Sequence, residues 1–403
     1  MSGTWRSFQH RNYRLFFVSS IVSNIGTWSQ RVAQDWLVLE LTHSGAALGI
    51  VTGLQFTPAL FFSLLGGSFA DRFDKRMALV LTNLGGAIAG IALGTLVLMG
   101  NVQMWQVYLL TVFLGISSAI DSPVRQAFVL EMVGQEDLQN AVSLNSANFN
   151  AGRLVGPAVA GVMITAFDTG PSFIMNGISF LFVTIALLMM NVNEFYVRNT
   201  DSDSPMRIRD GFVYVRKHKD LREVTIVISF MAMFGLNFQI TTALMAKEVF
   251  HRGAASFGLL GTCIAVGSLS GSILATHREK APGSLRVMKG AFLFGLASML
   301  AAVMPTYSTF ALVLPLCGAL AITTTIAANT TMQLGADPQM RGRVMGIYVL
   351  VLIGSAPIGS PLVGWLAEAV GTRFTIAFGG AVTCLAALIV MIISRRSDAP
   401  DSK

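Results

Sequence analysis

The sequence predicts an all-α membrane protein, with twelve transmembrane helices arranged as two pseudo-symmetric six-helix bundles. Three observations predict it. The 403-residue chain is 53% hydrophobic and only 12% charged, about half the charged fraction of soluble domains, and its mean hydropathy is +0.63. It breaks into twelve apolar runs, each long enough to cross about 30 Å of hydrocarbon. Its two halves also repeat one another weakly around a polar linker.

The runs span 15–40, 46–70, 77–99, 104–132, 140–167, 173–192, 224–248, 256–276, 287–305, 309–334, 344–369 and 374–394. The first is too long for a signal peptide and lacks a small-residue cleavage site, so it counts as a span. With both termini placed in the cytoplasm, almost all of the 28 Lys and Arg residues fall on that side. The exceptions are Lys247, Arg252 and Arg373 outside, and Arg31 and Arg153 within spans. Such an asymmetry decides topology in a cell membrane. It also accounts for the net charge of +7 without a nucleic-acid partner.

The expected domains are a bundle over 1–192, a cytoplasmic linker over 193–223 and a second bundle with a short tail over 224–403. Within the linker, "RIRDGFVYVRKHKDLRE" puts Ile208, Phe212 and Val215 on one helical face among cations, which reads as a short helix lying on an anionic leaflet. The repeat is carried by "GPAVAG" (156–161) against "GSPLVG" (359–364), and by "NAVSL" (140–144) against "RVMGI" (343–347). Paired six-span halves are the architecture of alternating-access transporters, with the substrate between the halves.

Cys263, Cys317 and Cys384 lie inside apolar runs, which disfavours a disulfide framework or a metal site. No cofactor is expected. The phosphate loop of an ATP-driven pump, GxxxxGK[ST], is absent. No nucleophile–base pair in the spans suggests an enzyme.

The intramembrane charges are Arg31 and Asp35 in span one, Asp121 in span four and Arg153 in span five. A charge near the bilayer centre costs from about 2.5 kcal/mol upward, so each is a functional candidate. Arg31 and Asp35 share a helical face, flanked by Gln30 and Gln34. A carboxylate whose arginine partner or hydration changes between two protein states can take up a proton on one side and release it on the other. All five histidines, His10, His43, His218, His251 and His277, fall outside the spans, which leaves Asp35 or Asp121 as the carrier, unless each is a permanently paired structural charge. Arg153 is a partner for an acid, a ligand for an anionic cargo, or packing. Gly152, Gly156 and Ala160 make a flat seam for close helix approach in span five. Pro157 removes a backbone donor there, so a bend is expected. Asn237, Gln239, Asn329 and Gln333 are polar enough to line a cavity or to make interhelical hydrogen bonds.

Four phrases carry a family resemblance. "GGSFADRFDKR" (66–76) resembles the signature loop of the major facilitator superfamily through Gly67, Asp71, Arg72, Lys75 and Arg76, with Asp74 where a second glycine is usual. "DSPVRQA" (121–127), "GRLVGPAVAG" (152–161) and "RGRVMGIY" (341–348) are similar to the third drug:proton antiporter branch, which includes macrolide-efflux and enterobactin-export proteins. The resemblance implies the major facilitator fold and proton-coupled efflux of amphipathic small molecules, with a siderophore-like metabolite as the alternative cargo. It implies a gating latch in which Asp71 meets the start of span eleven near Val344, while Arg72 and Arg76 pair with Asp121 or Glu131. It also implies that Gly152, Gly156, Pro157 and Gly161 form the antiporter motif, sealing one half against the other. One chain supplies both halves, so a monomer suffices. A transporter-shaped sensor or assembly factor that moves nothing is the competing class.

Overall fold

The computed structural model describes residues 3–70, 74–196, 208–276 and 283–398, which are helical almost throughout and contain no strand. After a short 3-10 turn at Gly3–Gln9 come α1 (Arg11–Thr42), α2 (Gly45–Ala70), α3 (Lys75–Leu98), α4 (Met104–Phe167) and α5 (Gly170–Leu188). Next are α6 (Ile208–Lys217), α7 (Lys219–Phe230), α8 (Phe238–Leu244), α9 (Ala254–Thr276) and α10 (Gly283–Ala302). The last four are α11 (Tyr307–Leu334), α12 (Arg341–Gly354), α13 (Ala356–Val370) and α14 (Thr372–Asp398). Among the described residues, ten helices are long and apolar enough to cross a membrane.

Helix α1 falls outside that count because its charges and polar residues lower its hydropathy. Its 32 residues nevertheless reach about 48 Å, more than a bilayer core. Helix α4 counts once, yet its 64 residues include Gly134 at φ 70°, a left-handed conformation that costs any side chain about 1–2 kcal/mol. There the chain reverses. Before Gly134, Phe128 and Arg125 meet Phe16 and Ser20, so this half runs antiparallel to α1. After it, Ala141 meets Tyr13 and Gly156 meets Trp28, so this half runs parallel to α1.

The chain divides into two compact units. The first holds α1, α2 from Leu54, α3 to α5, and residues 252–262; the second holds residues 44–53, α6 to α8, α9 from Cys263, and α10 to α14. The core of the first gathers Tyr13, Phe16, Leu79, Phe128, Met132 and Leu187. That of the second gathers Leu221, Met231, Met288, Phe294, Met332 and Ile347.

The sequence repeat has a structural counterpart in each unit. In the first, Gly156 lies on Trp28 and Ile25 of α1, and Gly161 lies on Ala255 at the start of α9. In the second, the matching Gly359 lies on the backbone of Met233, and Gly364 lies on Gly45 at the start of α2. Without a hydrophobic force to press helices together in lipid, such small residues let backbones pack directly.

The linker helix departs from expectation. Val215 is 5% exposed within the core of the second unit, whereas Phe212, three residues earlier, is 47% exposed at the edge of that contact. The Ile208 side chain lies outside the described residues. Gly211 sits against Arg343 of α12, and Tyr214 donates a 2.9 Å hydrogen bond to Asp337. Helix α6 is thus docked on its own unit as well as facing outward.

Replacing Gly156 by Leu drives a side chain into Trp28 and should destabilise the protein by about 1–3 kcal/mol. Gly346→Ala, where an added carbon meets nothing within 4 Å, should leave stability unchanged or raised. Thermal unfolding of the purified variants checks the contrast.

Candidate functional site

The buried charge of the first unit centres on α1. Asp35 is 1% and Gln34 3% exposed, one turn beyond Arg31. The Arg31 guanidinium carbon stands 4.8 Å from the Trp28 ring centroid and 5.9 Å from that of Phe56 on α2. Arg153, from the second half of α4, approaches the same Trp28 ring at 6.0 Å. Three elements therefore bring two guanidiniums, one carboxylate and two aromatic faces together. Gln30 turns the other way, and its side-chain oxygen accepts a 2.7 Å hydrogen bond from Asn176 of α5. The seam residues make the approach possible: Gly152 packs on Asn24 and Gly156 on Trp28. These two glycines face α1, whereas Gly161, from the same motif, packs on Ala255 at the start of α9, a helix from the second half of the sequence. Pro157 meets Gly258 and Gly261 of the α9 segment in the first unit.

Asp121 is a different kind of group. Arg125, four residues on, donates to both its oxygens at 2.6 and 3.0 Å. Thr82 and Asn83 of α3 donate to Oδ2 at 3.2 and 2.9 Å. Arg125 also reaches Ser20 and stacks 5.3 Å from Phe16. Four hydrogen bonds from three residues thus fix this carboxylate between α3 and α4. Of the expected partners, Arg72 lies, like Asp71, outside the described residues, and Arg76 donates instead to the Leu187 and Leu188 carbonyls, both at 2.7 Å. Those carbonyls lie at the negative end of α5, so a cation is favourable there. Lys75 takes the acid of span four, its Nζ lying 2.7 Å from Glu131 with both side chains largely buried. Gly67 lies in the last turns of α2.

Several residues were legible but unread. Asp74 is the N-cap of α3, its Oδ1 accepting from the Met77 amide at 3.1 Å, a standard cap chemistry. "GAALGIVTG" places Gly45, Gly49 and Gly53 four apart, and they pack on Gly364, Ser360 and Pro361. Glu368 accepts from Ser44 Oγ at 2.7 Å and from the Ala46 amide at 3.1 Å, capping the start of α2. Span seven is broken, with π turns at Met231–Gly235 and Met245–Val249 around a short α8; such turns often mark functional sites, and no proline announced them. Asn237 sits at that break, donating to Met233 O at 2.8 Å and accepting from Ser360 Oγ at 3.0 Å.

Asp137, three residues past Gly134, also escaped the sequence reading. It is 3% exposed and receives Gln9 Nε2 at 2.7 Å, His10 Nε2 at 2.9 Å and the Arg6 guanidinium at 2.7 Å. The His10 hydrogen bond is the main reason its carboxyl is held below the ordinary carboxylate range; Gln9 and Arg6 add to it and burial opposes it.

Residues 2–402 match the family model described as transmembrane secretion effector, and the chain belongs to this branch of the major facilitator superfamily of membrane transporters. It is 25% identical over 392 residues to the staphyloferrin A transporter of Staphylococcus aureus, covering 95% of this chain and 96% of that one. It is 26% identical over 384 residues to the multidrug efflux pump Tap of Mycolicibacterium fortuitum, covering 90% of each. Among solved structures, the nucleoside transporter NupG superposes with a TM-score of 0.75 at 13% identity, covering 96% of this chain and 99% of that one. A bacterial homolog of the human lysosomal transporter Spinster, in an inward-facing and unoccupied conformation, gives 0.70 at 15% identity, with 95% of each covered. The protein is a multi-pass membrane transporter, as the motifs implied.

A lowered carboxyl stabilises the native state above the ordinary carboxylate value of about 4, and that contribution is lost as pH falls through the lowered value. A spin label on Gly3→Cys, with the three native cysteines replaced, should stay immobilised from pH 7 to about 5 and be released only below about 4. Release already between about pH 6 and 7 would contradict this assignment of Asp137.

Proposed function

We propose that the protein is a secondary active exporter of amphipathic small molecules in the cell membrane. It is driven by proton antiport and works by alternating access of twelve spans in two bundles, with both termini cytoplasmic and a monomer as the working unit. The observation that carries this reading is Asp35, a carboxylate shut away from solvent one turn from Arg31. Likeness to the efflux pump Tap supports it.

Ionised Asp35 offsets the Arg31 charge beside the Trp28 and Phe56 rings, so that an apolar or cationic cargo is tolerated there. Protonation of Asp35 removes the negative charge, leaves Arg31 and Arg153 facing that cargo, and weakens it. Cargo and proton thereby exclude one another, which is the requirement for antiport. Arg153 tunes the field at Trp28. Asp121 and Arg125 hold α3 and α4 together, while Asp71, Arg72 and Lys75 form the cytoplasmic latch with Glu131 and Arg76 ties α3 to the end of α5.

A second reading is favoured by the two guanidiniums on one ring and by the likeness to the staphyloferrin A transporter. A carboxylate-bearing cargo would lie against Arg31 and Arg153, and protonating Asp35 would then tighten rather than loosen it. The pH dependence of cargo affinity separates the two: affinity falls on acidification in the first and rises in the second.

Inside-out vesicles with an imposed pH difference provide the test. Asp35→Asn should lose uphill accumulation of a cationic dye by at least an order of magnitude while still equilibrating it downhill. Uphill accumulation at the wild-type rate would reject Asp35 as the carrier. Asp71→Arg should nearly abolish transport with membrane insertion intact, and normal transport by that variant would reject the latch. A sensor that moves nothing would leave accumulation unchanged when the wild-type gene is deleted.

A further inference from the structure

We infer that Asp137 is a positioning residue for transport, clasping the amino-terminal segment Gly3–Gln9 onto the α4 turn and so fixing the setting of α1, the helix that carries Arg31 and Asp35. The inference rests on the transport reading and adds to it a part that lies far from the buried charges.

The joint is built rather than incidental. A single carboxylate gathers Arg6, Gln9 and His10. Beside it, Ser7, with no exposed surface, donates from its amide and its hydroxyl to Asn140 Oδ1 at 3.1 and 2.7 Å, and its hydroxyl also reaches the Asp137 carbonyl at 3.2 Å. The neighbouring Arg6–Glu136 pair is of a different order, since the Glu136 side chain is 86% exposed and exposed pairs contribute little. The clasp continues up α1. Tyr13 donates to the Ala141 carbonyl at 3.0 Å, and Asn12 exchanges two hydrogen bonds with the Asn191 backbone at 2.9 and 3.0 Å.

The same turn carries the latch acid. Glu131 and Asp137 flank Gly134, whose backbone lies under the Tyr196 ring. Tyr196 donates its amide to the Glu131 carbonyl at 2.8 Å and meets His10 edge-on at 6.0 Å. Glu131 in turn binds Lys75. The amino-terminal segment, the start of the linker and the charged hairpin therefore meet on the seven residues from Glu131 to Asp137.

Helix α1 transmits this setting because it runs unbroken from Arg11 to Thr42 without proline. At 1.5 Å per residue Asp35 lies about 36 Å from the clasped end, so a tilt of about 3° there moves the carboxylate by about 2 Å. Displacements of that size are enough to spoil a positioned charge.

The test compares Asp137→Asn, Asp137→Glu and Arg6→Ala in the full chain, reading membrane abundance, the initial rate of dye export against dye concentration, and the mobility of a spin label on Gly3→Cys. Asp137→Asn should free the label and lower the maximal rate several-fold, with abundance and half-saturating dye concentration unchanged. Asp137→Glu should restore most of the rate, and adding Arg6→Ala to Asp137→Asn should cost nothing further. Wild-type export by Asp137→Asn overturns the inference. So does a fall in abundance that accounts for the lost rate, or an Asp137→Glu variant as impaired as Asp137→Asn. If the wild type exports no substrate at all, the transport reading fails, and the label alone decides whether the clasp exists.

Discussion

Charge kept inside a lipid-spanning unit is the constraint on which the rest of this structure depends. A guanidinium or carboxylate exposed to hydrocarbon is expensive, so α1, which carries Arg31 and Asp35, has to be wrapped on its polar side. The second half of α4 and helix α5 do the wrapping. Glycines at 152 and 156 bring α4 close enough that Trp28 can serve as a shared aromatic face for Arg31 and Arg153. Asn176 supplies the hydrogen bond that satisfies Gln30 on the other flank. Each part of the first unit is thus a consequence of sheltering one polar helix.

The second unit repeats the packing without the charge. Gly359 and Gly364 occupy the positions of Gly156 and Gly161, and Gly359 meets span seven where Gly156 meets span one. What span seven carries at that level is a broken helix, with Asn237 tied to Ser360 and Met233, rather than an ion. The two halves therefore share a scaffold and differ in chemistry. At this level the first unit holds Arg31, Asp35 and Arg153, and the second holds a helix broken by two π turns.

How much of this could be read in the residues depends on the kind of signal. The apolar runs were legible because they are long and loop charges are sharp, and their outer ends fall within a few residues of helix ends, although α4 joins the fourth and fifth runs and the seventh and eleventh are each divided. The reversal at Gly134 was legible as a polar break between runs. The charge partners were harder. Arg125 was counted with the loop, although it folds back one turn onto Asp121, and Arg76 went to the α5 carbonyls rather than to an acid. Pairing is set by helix ends and by the register of neighbouring helices, which spacing along one chain does not encode. Asp137 shows the same limit: its two donors, Gln9 and His10, and its ion-pair partner Arg6 come from residues nearly a third of the chain away, and only the folded first unit brings them together. The π turns in span seven left no mark, since the residues of that run are ordinary helix formers apart from Gly235 and Asn237.

Competition between proton and cargo at Asp35 is the central claim, and proton release on cargo binding measures it most directly. Purified protein in weakly buffered detergent would be mixed with a cationic dye at several pH values while free protons are followed with an indicator. Release of protons from the wild type and none from Asp35→Asn is the expected result. Dye binding with no proton movement, or with proton uptake, would contradict it.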